Sequence, residues 1–407
     1  MSFLHNFSFN IVCSALVFAF GLLNQSLLAS HLSRSDYGSF TLWTQTSILA
    51  ALIFGEWLRR GTTYVVGKEK NAEGSRDNIL IYVGILVPTV MLISWLFRFK
   101  LVSWLGPPAY EYWYLIALMV GAVILQRCGQ AILLGLDRFR MYAGVPLVFI
   151  GSYSMMNFFL WWNDTLNIFS GLSVFVGAAV IASLVAFSFQ QDISGPFQGG
   201  NRKLMSAVYS VGRRAAVSVL LVFLLLKSDL FLINYYLGTD SVGIYRVAVN
   251  FADMMQRVPD LAGAVLLAKV IRNEDQNGLT WRVTCWMGLF SILSAFVLAI
   301  TGNQLISFFF PNYEQAYSPL MWMLPGLVFL GVGSVLNTKL AGLGYPIVTL
   351  WAPAIALVLN VSLNIVLIPK FRLQGAAIAT SISYFCWAVC IAWAYFRSDC
   401  QGNREIV

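Results

Sequence analysis

Leu32-Ser-Arg-Ser-Asp36-Tyr-Gly38-Ser-Phe40 returns 205 residues later as Leu237-Gly-Thr-Asp-Ser241-Val-Gly243-Ile-Tyr245, with leucine, glycine and an aromatic in matching places. A second set repeats at an offset of 207: Gly135-Leu136 with Gly342-Leu343, Pro146 with Pro353, and Asn157 with Asn364. Both copies of the first stretch follow apolar runs of the length that spans a bilayer, about 20 residues. Two sets at nearly one offset read as a duplication of a membrane-spanning unit.

Working outward from these marks, apolar runs place twelve helices, at 9–31, 37–58, 78–97, 112–135, 141–162, 168–189, 207–236, 242–268, 281–301, 318–341, 347–368 and 375–396. A polar stretch, 190–203, separates the halves. The expected organisation is an N-terminal lobe (1–190), a cytoplasmic linker (191–206) and a C-terminal lobe (207–407). Six helices is an even number, so both halves enter the membrane the same way. Such parallel repeats place a site between them. The fold class is therefore an all-α polytopic membrane protein of two parallel six-helix lobes.

Composition agrees. Charged residues make up 11% of the 407 and hydrophobic ones 58%, where a soluble domain carries about 25% charged residues. The net charge of +8 suits cytoplasmic loops against anionic lipid rather than nucleic acid. With a cytoplasmic N-terminus, 16 of the 26 Lys and Arg fall on the cytoplasmic side, 5 outside and 5 within helices. That bias places both termini in the cytoplasm. Residues 1–10 contain no Lys or Arg, so the first apolar run reads as a retained helix rather than a signal peptide. The six cysteines have no metal spacing, His5 and His31 are the only histidines, and no phosphate-binding GxxxxGK[ST] loop occurs. No cofactor, metal or catalytic constellation is expected, and any transport is not driven by nucleotide hydrolysis in this chain.

The informative residues are ionisable groups inside helices. Five basic groups facing lipid would cost on the order of 10–15 kcal/mol on insertion scales, so most must face the interior or the interface. Arg127, Lys227 and Arg257 lie deepest; Arg246 and Lys339 lie near helix ends, where snorkelling competes with a cavity role. The eighth helix carries Arg246, Asn250, Asp253, Arg257 and Asp260 in steps of four, three, four and three, all on one face. An Asp253–Arg257 pair buried against a neighbour would explain one turn. A stripe of several turns favours a polar path. Lys227 and Asp229, two apart, call for different partners. Glu56, beside Arg59 and Arg60, reads as interfacial. Asn360 and Asn364, one turn apart, fit either sugar hydroxyls or helix–helix hydrogen bonds.

Asp36-Tyr37-Gly38-Ser39-Phe40, Asp229, Leu237-Gly238, Val242-Gly243-Ile244-Tyr245, Ala341-Gly342-Leu343-Gly344, Asn364 with Ile368-Pro369, and Gly375-Ala376-Ala377 occur in order across nearly the whole chain. In these the sequence resembles the oligosaccharide flippases of the multidrug/oligosaccharidyl-lipid/polysaccharide superfamily, in particular the O-antigen translocases. The resemblance implies two six-helix lobes around a central cationic cavity in a bacterial inner membrane. It also implies alternating access and an undecaprenyl-pyrophosphate-linked oligosaccharide as substrate. Surrounding membrane lipids, a polysaccharide polymerase and a chain-length regulator are the other partners it suggests. Peptidoglycan-precursor flippases of the superfamily usually have fourteen helices, so twelve point to O-antigen or a similar surface polysaccharide. A cation or drug antiporter would favour interior carboxylates over bases. A membrane polymerase or acyltransferase would favour a large outer loop or histidine chemistry.

Overall fold

The computed structural model describes residues 3–69, 72–106, 110–189, 197, 199–271, 278–342 and 347–402. Lys70, Arg272, Arg404, Leu343, Gly344 and, within the stretch 191–206, residues 191–196 and 198 lie outside them. The described chain is helical throughout and contains no strand. It divides into two compact units, Met1–Leu220 and Leu221–Val407. Composition places the division at 191–206; the units meet within a helix instead.

The first unit holds α1 (Phe3–His31), α2 (Arg34–Glu69), α3 (Ala72–Leu96), the short α4 (Arg98–Leu105), α5 (Tyr114–Gly135), α6 (Phe139–Trp162), α7 (Ile168–Ser188) and the first half of α8 (Arg202–Leu237). The second holds the rest of α8, α9 (Thr239–Ile271), α10 (Leu279–Phe309), a 3-10 turn (Glu314–Ala316), α11 (Tyr317–Gly342) and α12 (Val348–Gly402). Arg372, at φ +52°, breaks α12 into two arms. Counting those arms, each of the twelve expected spans has its helix, and α4 is additional. Among the described residues, nine stretches are long and apolar enough to cross a membrane, the last of them containing both arms of α12. Neither α2 nor α9 is among them. These are the second helix of each repeat, and both carry charge along their length. A polar helix survives in a membrane by turning its charges away from lipid.

Within each unit the same partnerships recur. In the first, α5 is the most enclosed helix and packs on α2, α3 and α7. In the second, α11 takes that place against α9, α10 and α12. A tyrosine early in the second helix of each repeat acts alike, although in the repeat Tyr37 aligns with Val242 and Tyr245 with Phe40. The Tyr37 hydroxyl donates to Gln25 Oε1 of α1 at 2.8 Å, and the Tyr245 hydroxyl donates to Asp229 Oδ2 of α8 at 2.8 Å. Each ties the second helix of its repeat to the first. Gly238, at φ +83°, makes the tight turn between α8 and α9, a conformation glycine adopts without steric cost.

Two helices outrun their apolar cores. α2 continues past 58 because Glu56 pairs with Arg59 and Arg60 three and four residues on, which holds the charged turn helical. α8 begins at Arg202 rather than 207 because the Asn201 side chain accepts from Leu204 N at 3.1 Å, capping the helix. Asn78 fixes that start: its amide donates to Asn201 O at 3.1 Å and its Oδ1 accepts from Asn201 N at 2.8 Å. A turn and a half further along, α8 crosses α2 backbone to backbone. A Cβ on Gly61 would lie 2.0 Å from Val208 O, and one on Gly212 would lie 1.9 Å from Trp57 O. Only glycine fits either place.

Candidate substrate-binding site

Three of the basic residues singled out in the sequence, Arg127, Lys227 and Arg246, fall into two clusters, one in each unit, and each cluster is organised by a carboxylate.

In the first unit the centre is Glu56. Its side chain has no exposure at all, so it is a buried acid and not an interfacial one. Oε1 accepts from Arg60 Nε at 2.9 Å and Oε2 from Arg59 Nε at 2.9 Å, while a second Arg59 nitrogen also reaches Oε1. Arg127 of α5 points Nη1 at Oε2 from 3.7 Å, an ion pair without a hydrogen bond. Gly55 explains its approach. A Cβ there would meet Ile124 Cγ1 at 2.6 Å, so α5 lies close to α2 beside Glu56, and Arg127 follows Ile124 by one turn. Three guanidiniums share one carboxylate.

In the second unit the centre is Asp253. Lys227 Nζ donates to Oδ1 at 3.0 Å and to Oδ2 at 3.1 Å, and Arg246 Nη1 lies 3.5 Å from Oδ2. The partner of Asp253 is thus Lys227 from α8 together with Arg246 two turns back on the same face, not Arg257. Helix α8 delivers Lys227 to α9 more closely than the helical step brings Arg257 round. Arg257 is exposed and makes no ion pair within 4 Å among the described residues, although its charge acts on both Asp253 and Asp260. The stripe opens along α9: Asn250 is buried, the Asp253 side chain is 45% exposed, and Arg257 and Asp260 are exposed. Lys339, near the end of α11, is half-buried.

Lys227 and Asp229 do have different partners. Asp229 is buried, accepting from Leu230 N at 2.8 Å, from Tyr245 and from the Thr380 hydroxyl at 3.3 Å. Asn360 and Asn364 are fully buried as well. Asn364 donates to both the backbone and side-chain oxygens of Asn360 at 2.9 Å, and Ser228 donates to Asn360 Oδ1 at 3.2 Å. These asparagines bind helices to each other and present no amide to open space. In the first unit Asn157, the repeat equivalent of Asn364, donates instead to Asn24 Oδ1 of α1 at 2.9 Å, and Tyr153 stands where Asn360 does. Arg59, Arg60, Tyr245 and Thr380 were not singled out in the sequence. The i, i+3, i+4 step from Glu56 was the signal for the first two and the repeated aromatic for the third; Thr380 gave none.

No protein-family model matches the chain. A Shigella flexneri protein named "Putative O-antigen transporter" is 22% identical over 300 residues, 70% of this chain and 69% of that protein. An uncharacterised membrane protein of Methanocaldococcus jannaschii is 27% identical over 202 residues, which is 47% of this chain; the match spans only 40% of that relative. Among solved structures, the lipid II flippase MurJ in an inward closed conformation superposes with a TM-score of 0.80 at 16% identity, over 95% of this chain and 87% of that one. An inward-facing multidrug resistance MATE transporter of the MOP superfamily gives 0.73 at 14% identity, over 97% and 99%. Apart from the uncharacterised archaeal protein, these are named as transporters or a flippase. The chain is a multi-pass membrane protein with the fold shared by the MATE transporters and the MurJ flippase.

Proposed function

We propose that this protein is a flippase that moves an undecaprenyl-pyrophosphate-linked oligosaccharide, an O-antigen or related repeat unit, from the cytoplasmic to the periplasmic leaflet by alternating access. The observation that carries the reading is the excess of cations around one carboxylate in each unit, Glu56 of α2 and Asp253 of α9. Three arginines surround Glu56, and Lys227 and Arg246 surround Asp253 with Arg257 exposed beyond them. A diphosphate brings negative charge where water is scarce, and attraction to a cation is far stronger there than in bulk water. Arg127 in the first unit and Lys227, Arg246, Arg257 and Lys339 in the second are the cations proposed to receive it, with Asn250, Asp253 and Asp260 on the polar stripe of α9. The protein works in a bacterial inner membrane and supplies a polymerase and its chain-length regulator on the far side.

A null strain tests the reading. It should lose surface polysaccharide while a completed lipid-linked repeat unit accumulates on the inner leaflet. An incomplete unit, or one stranded unpolymerised outside, would show an enzyme instead. One observation favours a second reading, a cation-coupled drug antiporter: Asp229 is a buried carboxylate held by Tyr245 and Thr380. That reading requires the null strain to become drug-sensitive with its polysaccharide intact.

A further inference from the structure

We infer that Glu56, Arg59, Arg60 and Arg127 form a diphosphate-binding site in which Glu56 is an internal counter-ion that the incoming anion displaces. The inference rests on the flippase reading for its biological role, though not for its chemistry.

Glu56 cannot satisfy what surrounds it. Its two oxygens already accept three hydrogen bonds, a fork of two from Arg59 and one from Arg60. Arg127 is left at 3.7 Å with no hydrogen bond among the described residues. Three positive charges against one negative leave an excess of two. A buried charge excess is costly unless an anion completes it. Arg60 and Arg127 each keep 36% of their side-chain exposure, whereas Glu56 keeps none. The cations are therefore reachable from the side that the carboxylate does not occupy. Guanidinium forks match phosphate oxygens in pairs, so a diphosphate can take two of them at once where a single phosphate takes fewer. The nearby geometry is built for close approach. Gly55 admits α5, and Trp57 is packed edge-on against Tyr82 and Tyr209, which walls the cluster.

A displaceable counter-ion has a signature that a purely structural pair lacks. Glu56 competes with the ligand, so removing its charge should strengthen anion binding. In a structural role it would only hold the arginines in place, and removing it would weaken binding.

The test uses the full chain in nanodiscs of neutral phosphatidylcholine, with inorganic pyrophosphate as probe, inorganic phosphate for comparison, and calorimetry as readout. Pyrophosphate should bind more tightly than phosphate. Arg60→Gln and Arg127→Gln should each weaken it about tenfold, the size of one charge-assisted hydrogen bond. Glu56→Gln should tighten it severalfold. If that variant fails to fold, Glu56→Asp serves, because the shorter side chain draws back from Arg60 and Arg127 and should also tighten binding. Arg282→Gln, at an exposed position of α10, should leave the affinity unchanged. Equal affinity across wild type, Arg60→Gln and Arg127→Gln overturns the site, as does weakening by Glu56→Gln or Glu56→Asp at unaltered thermal stability. An equal loss in Arg282→Gln overturns it too. If exchanging the lipid for phosphatidylglycerol abolishes pyrophosphate binding, the occupant is a bilayer headgroup and the inference fails. A null strain that accumulates no lipid-linked unit would remove the flippase reading and leave this site standing. Flat binding beside normal accumulation would do the reverse.

Discussion

Lys227 Nζ sits 3.0 and 3.1 Å from the two oxygens of Asp253, straddling a carboxylate that Arg246 approaches from 3.5 Å. One acid serves two bases, so the consequences of removing each partner differ.

Asp253→Asn should destabilise the protein more than Lys227→Gln. The first leaves two cations without their acid, while the second leaves Arg246 to compensate. Breaking a fully buried pair costs about 3–5 kcal/mol. Asp253 is nearly half exposed, so about 1–2 kcal/mol is expected after screening. Membrane abundance and melting temperature in detergent measure it. Lys227→Gln with Asp253→Asn should recover abundance, and Lys227→Arg should outperform Lys227→Gln in transport. Equal loss in both single variants would remove the shared-acid account.

Arg257 has no ion pair within 4 Å among the described residues, so its loss should leave the fold alone. Arg257→Gln should reach normal abundance, within about 0.5 kcal/mol of wild type in stability, yet lose most transport. Arg257→Lys should keep part of it. Transport by Arg257→Gln near the normal rate would take Arg257 off the path.

Glycines separate by position. Gly212→Ala or Gly61→Ala drives a methyl group into a backbone carbonyl and should cost about 3 kcal/mol or more, read as lost thermal stability. Gly144→Ala and Gly151→Ala, on α6, meet nothing within 4 Å. Those two should be neutral or stabilise by up to about 1 kcal/mol, since alanine is the better helix former. Similar melting points for the two pairs would contradict the close crossing.

Both ends of the chain should lie in the cytoplasm. A fusion after Val407 should be active with a cytoplasmic reporter and silent with a periplasmic one. The opposite result would reverse the basic-residue bias and the parallel-repeat reasoning that rests on an even helix count.

The number of helices and the duplication were legible because both are written in composition. Apolar runs of bilayer length and two offsets near 206 need no knowledge of packing. The different partners of Lys227 and Asp229 were also legible, since residues two apart on a helix face apart. Which acid meets which base was not. The stripe on α9 offered Arg257 to Asp253 one turn away, but Lys227 comes from another helix, 26 residues earlier, and only tertiary packing brings it in. Glu56 was misjudged for a similar reason. Neighbouring arginines suggest an interface in sequence, while Gly55 and Ile124 set α5 against that face and enclose it. Asn360 and Asn364 could have served sugars or helices, and their complete burial gives them to the helices.

The crossing of Gly61 with Gly212 also bears on how the chain is made. The groove on α2 that exposes the Trp57 carbonyl is finished early in synthesis, but the segment that fills it follows about 150 residues later. The first lobe therefore cannot complete its own packing when its seventh helix has been released into the bilayer. It waits for the opening turns of α8, and Asn78 holds the acceptor and donor that receive Asn201 when they arrive. A chain stopped before residue 200 should leave the insertion machinery with an open seam, and should be recognised by membrane proteases as unfinished even though all of its own spans are in place.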